Sequence, residues 1–313
     1  MSEKASAPIN FVQRIALEKP VLTSLALLAI AFFFKWVDTF VLRLDERLGE
    51  IILCKTLGFV MVILFVRIAG RKLRDIGLHA RRLGPSLLIG TFIAVVGLVI
   101  GYGVEFVVQL QNNAQPAFQL TAVDPKAKVS GDLFFALFLI VGNFMNSFME
   151  EGLFRGVMIR LFRTKLSFGR ANVLQAFLFG VWHLPWVAKW IQTDQIEAHG
   201  GLVFATISQF LPMVWIGLIW GYLYLKTDNL WTPWIAHLLN NTILNLLHVT
   251  TTDGLDAGIA IRMTVCLVVA SLSMLLVRYW TERFQMPEVK PWGQWTIEEG
   301  VLMDKLNTGH GST

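Results

Sequence analysis

The sequence predicts an all-α polytopic membrane protein, a bundle of about eight transmembrane helices. Three observations carry this. Of 313 residues, 55% are hydrophobic and 16% charged, against about 45–50% and about 25% in ordinary soluble domains. The apolar residues are gathered into runs: 84–107 contains a single charge, Glu105, and is long enough for ~30 Å of hydrocarbon at ~1.5 Å per residue. Eight such segments can be marked, at 20–42, 50–67, 84–107, 131–162, 171–191, 201–225, 229–249 and 257–279. An ordinary soluble enzyme, a disordered chain and a disulfide scaffold are excluded. Cys54 and Cys266 fall in or beside apolar spans without a pairing or metal-ligand pattern and read as core residues.

Residues 1–19 lack the compact basic-then-apolar layout of a cleaved leader. They read as a cytoplasmic segment with a short interfacial helix over Phe11 to Leu17. Residues 20–280 form the transmembrane domain. The segment 131–162 is too long for a simple span, so its last part is expected to project beyond the hydrocarbon. Residues 108–130 read as an external polar loop, and 281–313 as a cytoplasmic tail whose Trp292 and Trp295 suit the headgroup level.

Basic residues set the sidedness. Arg67, Arg71, Lys72, Arg74, Arg81 and Arg82 follow the second span, and Arg160, Arg163, Lys165 and Arg170 close the fourth. Placing these loops and both termini in the cytoplasm puts 18 Lys/Arg inside and six outside, with Lys35, Lys55 and Arg155 left uncounted within spans. That satisfies the positive-inside rule. The net charge of +5 is then a property of cytoplasmic loops. The expected partner is the lipid bilayer, with no nucleic acid.

Ionisable residues inside a span are costly and tend to mark function. The fourth span reads GNFMNSFMEEGLFRG from Gly142. Asn143, Asn146, Ser147, Glu150 and Glu151 recur at steps of three and four and draw one polar stripe. Arg155 stands one helical step after Glu151 and can pair with it. Two adjacent carboxylates in a low dielectric titrate as a coupled pair, which can leave one poised as a base. The same spacing also fits an ordinary solvated helix end.

In the fifth span, FGVWHLPW, the residues Gln175, Phe179 and His183 share a face, and Pro185 is expected to kink the helix beside His183. Trp182, Trp186 and Trp190 form a separate stripe that reads as packing or interface anchoring. The seventh span places His237 and Asn241 one helical step apart, where both can donate hydrogen bonds to an oxyanion or serve as interhelical glue. Asn245 and His248 read as glue or as residues near the external surface. Helical rise brings Glu150, His183 and His237 to matching depths in the inner half of the membrane.

Chemically, a buried carboxylate beside an imidazole can activate water for attack on a carbonyl. No G-x-S-x-G elbow and no HExxH zinc helix is present, although Glu and two His can in principle hold a metal. The glutamate pair with Arg155, Phe179 to His183, and His237 to Asn241 resemble the EExxxR, FxxxH and HxxxN motifs of one family. This is the CPBP (CAAX protease and bacteriocin-processing, Abi) family of intramembrane proteases, which includes the type II CAAX prenyl endopeptidases. The resemblance covers about 131–249, taken as the catalytic core.

It implies an eight-helix bundle with a membrane-embedded active-site cavity and glutamate-dependent proteolysis near a membrane-anchored terminus. Glu150 with His183 would activate the water, and His237 with Asn241 would form the oxyanion hole. Glu151 and Arg155 would orient and tune Glu150. No metal or other cofactor is expected, zinc being the alternative. The substrate would be a membrane-associated peptide or lipidated protein. Two other readings stay open: a non-catalytic bacteriocin-immunity or scaffold protein, and a transporter or proton relay using the same buried acids.

Overall fold

The computed structural model describes residues 10–48, 51–124 and 129–292; Trp295 and the expected tail beyond 292 lie outside them, while Trp292 is buried against Phe65 rather than set at the headgroup level. Helix α1 (Phe11–Glu18) starts where the Asn10 side chain accepts from the Gln13 amide at 2.8 Å. It corresponds to the short helix expected there. Pro20, whose fixed φ suits a first helical position, opens α2 (Pro20–Trp36), which runs on as a π-helical segment, Val37–Leu42. The short α3 (Leu44–Leu48) and α4 (Ile52–Ile68) follow, then α5 (Leu83–Gln111).

Beyond α5 come three short strands, β1 (Ala117–Leu120), β2 (Ala122–Asp124) and β3 (Val129–Gly131). Asp132 caps α6 (Leu133–Glu150), accepting from the amides of Phe134 and Phe135. That helix passes without interruption into a second π-helical segment, Glu151–Ile159, and then α7 (Arg160–Phe162). Helix α8 (Phe168–His183) is separated from α9 (Pro185–Gln192) by Leu184 alone. The chain continues through α10 (Gly201–Thr227), α11 (Trp231–Leu246), β4 (Leu247–Thr251), β5 (Gly254–Leu255) and α12 (Ile259–Arg283).

Among the described residues, five helical stretches are long and apolar enough to cross a membrane: Pro20–Leu42, Leu83–Gln111, Leu133–Phe162, Gly201–Thr227 and Ile259–Arg283. Large apolar side chains stand exposed on them, including Phe33, Val99, Phe144, Val203 and Leu275. In water such a surface would be an aggregation liability; in lipid it is the solvent-facing side. The protein is an integral membrane protein. The expected count of eight is not reached by length and composition. The other three segments carry α4, α8 and α11, of 17, 16 and 16 residues, or about 24–26 Å of rise. Pro185 cuts one short, and the seventh segment leaves the helix at Leu247 for β4 rather than continuing to 249.

The expected polar loop at 108–130 is partly structured. β1 pairs antiparallel with β4, placing Phe118 opposite Val249, and β2 pairs with β3. These two small sheets lie where α5 and α11 end and α12 begins.

The bundle is tightened at its polar helices. α8 packs on α10, while α11 packs on α5 and α6. Across the α8–α10 contact, Gln175 donates to the carbonyl of Gly217 and Asn172 to that of Leu218, at 2.8 and 2.9 Å. A β-carbon at Gly221 would come within 1.9 Å of the Asn172 Oδ1, so close approach of the two helices requires glycine there. Such small-residue contacts bridged by carboxamides hold helices together where lipid supplies no hydrophobic drive. Gln175 is therefore part of the scaffold that holds His183.

Candidate active site

The polar stripes of α6, α8 and α11 converge on one cavity of about 220 Å³. Glu150, His183, His237 and Asn241 all line it, together with Asn143, Asn146, Asn240 and Lys35. The opposite wall is apolar and comes from α5, α10 and α12, including Ile93, Leu98, Ile216, Met263 and Leu267. The four residues expected to carry chemistry thus share one space inside the bundle.

Glu150 and Glu151 sit where α6 gives way to the π-helical segment, a device common at functional sites. Their carboxylates diverge. Glu150 faces the cavity, where its Oε1 accepts from the Trp182 indole Nε1 at 2.8 Å. Glu151 is fully buried behind it, with one oxygen 3.3 Å from Arg155 Nε and the other 2.8 Å from His237 Nδ1. The Glu151–Arg155 pair expected from spacing is present. Arg155 lies 4.2 Å from the centre of the Phe179 ring and 5.5 Å from that of Trp220. Among the described residues, its guanidinium nitrogens make no hydrogen bond.

His237 connects the two carboxylates. Its ring stacks on Trp220 at 4.3 Å, its Nδ1 meets Glu151, and its Nε2 stands 3.7 Å from Glu150 Oε2. Motif resemblance assigns Glu151 and Arg155 to the orientation of Glu150; in the structure Glu151 bonds His237, Arg155 pairs with Glu151, and Trp182 donates a hydrogen bond to Glu150. The tryptophan stripe was thus an incomplete guide, since it reads as packing. A polar handle on a residue next to His183 in sequence was the available signal.

His183 closes α8, and its Nδ1 lies 2.8 Å from the carbonyl of Phe179. A carbonyl only accepts, so Nδ1 carries the proton, and His183 lines the cavity. This gives a physical reason for the four-residue spacing. The Phe179 backbone sets the His183 tautomer, and its ring packs edge-on against the imidazole at 4.7 Å. Pro185 then ends the helix, with the Leu184 amide donating to Val181 in a tightened turn.

Asn241 lies one helical step beyond His237 on the cavity wall. Farther along, Asn143 donates to Asn245 at 3.0 Å and Asn245 to the Val123 carbonyl at 2.9 Å. Asn245 is interhelical glue, as its position suggests. Lys35, from the distant α2, lines the cavity and donates to the Trp182 carbonyl at 2.7 Å. Sequence reasoning set it aside as a charge within a span. Among the described residues, no three His, Cys, Asp or Glu side chains are placed to hold a metal ion.

A buried carboxylate, two oriented imidazoles and a carboxamide around a membrane cavity define a site suited to proton transfer and oxyanion stabilisation. Residues 132–243 match the Rce1-like family, described as type II CAAX prenyl endopeptidase Rce1-like. That stretch contains Glu150, Glu151, Arg155, Phe179, His183, His237 and Asn241, so all three motifs lie within the family match. The chain is also 24% identical over 108 residues to the "Putative membrane peptidase YdiL" of Bacillus subtilis (strain 168), covering 34% of this chain. The match spans 36% of that relative's length, little more than a third. No solved structure matches the chain.

Proposed function

We propose that the protein is an intramembrane endopeptidase that hydrolyses a peptide bond near the membrane-anchored terminus of a peptide or lipidated protein. The observation that carries this reading is the convergence of Glu150, His183, His237 and Asn241 on one cavity. The family match of residues 132–243 supports a CAAX-type peptidase.

In the proposed mechanism, Trp182 holds one oxygen of Glu150 and leaves the other to take a proton from water. In its Nδ1–H tautomer, His183 accepts the second hydrogen bond of that water at Nε2 and orients it. The water oxygen bonds to the scissile carbonyl carbon, and negative charge moves to the carbonyl oxygen. Asn241 and His237 donate to that oxyanion. Because Nδ1 of His237 donates to Glu151, donation from Nε2 uses the doubly protonated ring. Collapse of the intermediate breaks the C–N bond, and Glu150 returns its proton to the departing amine. The polar wall suits the peptide backbone and the apolar wall suits its lipid or hydrophobic side chains.

The positive-inside count supports cytoplasmic N- and C-termini, which would put the reaction toward the cytoplasmic leaflet. The test is reconstitution of purified protein in liposomes with a farnesylated peptide, followed by mass spectrometry of the products. A new carboxy terminus formed by wild type and lost in Glu150→Ala supports the reading. Equal cleavage by both proteins would overturn it.

A further inference from the structure

We propose that Lys35 and Trp182 are positioning residues that together hold the Glu150 carboxylate, so that a helix outside the matched family segment sets the geometry of the base. This rests on the reading of Glu150 as that base.

The contacts form a continuous chain. Lys35 Nζ donates to the Trp182 carbonyl at 2.7 Å, and Trp182 Nε1 donates to Glu150 Oε1 at 2.8 Å. The same ammonium lies 4.1 Å from the centre of the Trp182 ring. One cation therefore pins both the peptide unit and the indole face of a single residue. All three side chains are buried, Lys35 at 2% and Trp182 at 1% exposure.

The break at Pro185 explains why a cation is needed. The last carbonyls of a helix lack intrahelical partners, and Trp182 is the penultimate residue of α8. An ammonium satisfies such a carbonyl and also interacts favourably with the negative end of the helix dipole. A lysine at the end of α2, deep in the bundle, is costly unless its charge is used. With Trp182 fixed, its N–H engages one Glu150 oxygen and leaves the other directed at the water. A simple helix cap would give the first contact of the chain but no dependence of Glu150 on it.

The chain is tested with nitrogen-15-labelled tryptophan in nanodisc-embedded full-length protein, where the indole resonance lost in Trp182→Phe identifies Trp182. Glu150→Gln and Lys35→Met are each expected to move that indole proton upfield. With the farnesylated peptide, Trp182→Phe and Lys35→Met are each expected to lower kcat by about ten- to a hundredfold at unchanged KM. The double variant is expected to lose no more than the worse single one, as for two residues acting through one contact. An indole resonance unmoved by Lys35→Met, or losses that multiply in the double variant, would overturn the proposal. Should Lys35→Met fail to fold, Lys35→Gln reads the same resonance. Full turnover by Glu150→Ala would instead remove the base assignment, while the resonance still reports on the chain.

Discussion

Two buried networks of the same ingredients lie along α11, and they are built differently. Near the strands, Arg262 donates through Nε and Nη2 to Glu105 at 2.6 and 3.2 Å and also bonds Asp256. His248 donates from Nδ1 to Asp256 at 2.6 Å, and its Nε2 meets the Asn245 carbonyl at 3.2 Å. Tyr102 lies under the guanidinium and bonds the Leu247 carbonyl. This network ties α5, α12 and β4 together. At the candidate site, by contrast, Arg155 makes a 3.3 Å ion pair and aromatic contacts but no hydrogen bond among the described residues, and Glu150 and His237 stand 3.7 Å apart. The first network spends its donors on holding helices in place. In the proposed mechanism the second leaves its carboxylate and imidazoles to exchange protons, and it carries unsatisfied buried groups at Glu151 and Arg155 among the described residues.

That contrast can be broken by substitution. Glu150→Ala and His183→Ala are expected to lower turnover by about 10²–10⁴-fold, the range for a general base, with little change in melting temperature. Arg262→Ala should do the reverse. Leaving Glu105 buried without its partner costs about 3–5 kcal/mol, seen as a lower melting temperature with cleavage per folded molecule retained. Loss of activity without loss of stability in Arg262→Ala would erase the distinction. Asn241→Ala should lower kcat by about 10²–10³-fold if it donates to the oxyanion, and an effect on KM alone would remove that role.

The strand-side network also has a pH signature. Burial disfavours the charged form of His248, but the hydrogen bond and charge of Asp256 outweigh it, so its pKa lies above the ordinary 6.5. Its stabilising contribution is complete below pH 6.5 and is lost as pH rises through the elevated value. For Asp256, burial raises the pKa, yet hydrogen bonds from His248 and Arg262 bring the net value below the ordinary 3.8. That contribution is present above 3.8 and is lost as pH falls through the lowered value. Melting of wild type against His248→Gln should differ by about 1.5–3 kcal/mol near pH 6, the range for a hydrogen bond to a charged group. The gap should narrow toward alkaline pH, and a gap constant with pH would contradict this assignment. The smallest expected effect is none: strong chelation should leave cleavage intact, and activity recovered only with added zinc would require a metal.

The site was legible where chemistry and helical period coincide. Glu150, His183, His237 and Asn241 are polar residues at regular steps in apolar helices, and burial there constrains them strongly. Lys35 was not legible, because its partner Trp182 lies 147 residues away and no local spacing encodes that contact. Trp182 was hidden by its own chemistry, since an indole in a span packs well whether or not its N–H is used. The strands at 117–124 escaped notice because residues 117–120 are all exposed and lack the alternation of a half-buried strand. The end of the seventh segment was not legible, because the apolar run through Leu246 and Leu247 conceals the change from α11 to β4.

Glu150-dependent proteolysis is tested most directly by comparing protein termini in membranes that contain wild type, Glu150→Ala or neither, at equal expression. The expected result is a set of new termini with wild type that is absent from both other samples. Termini that persist with Glu150→Ala, or a wild-type profile identical to that of membranes without the protein, would contradict it.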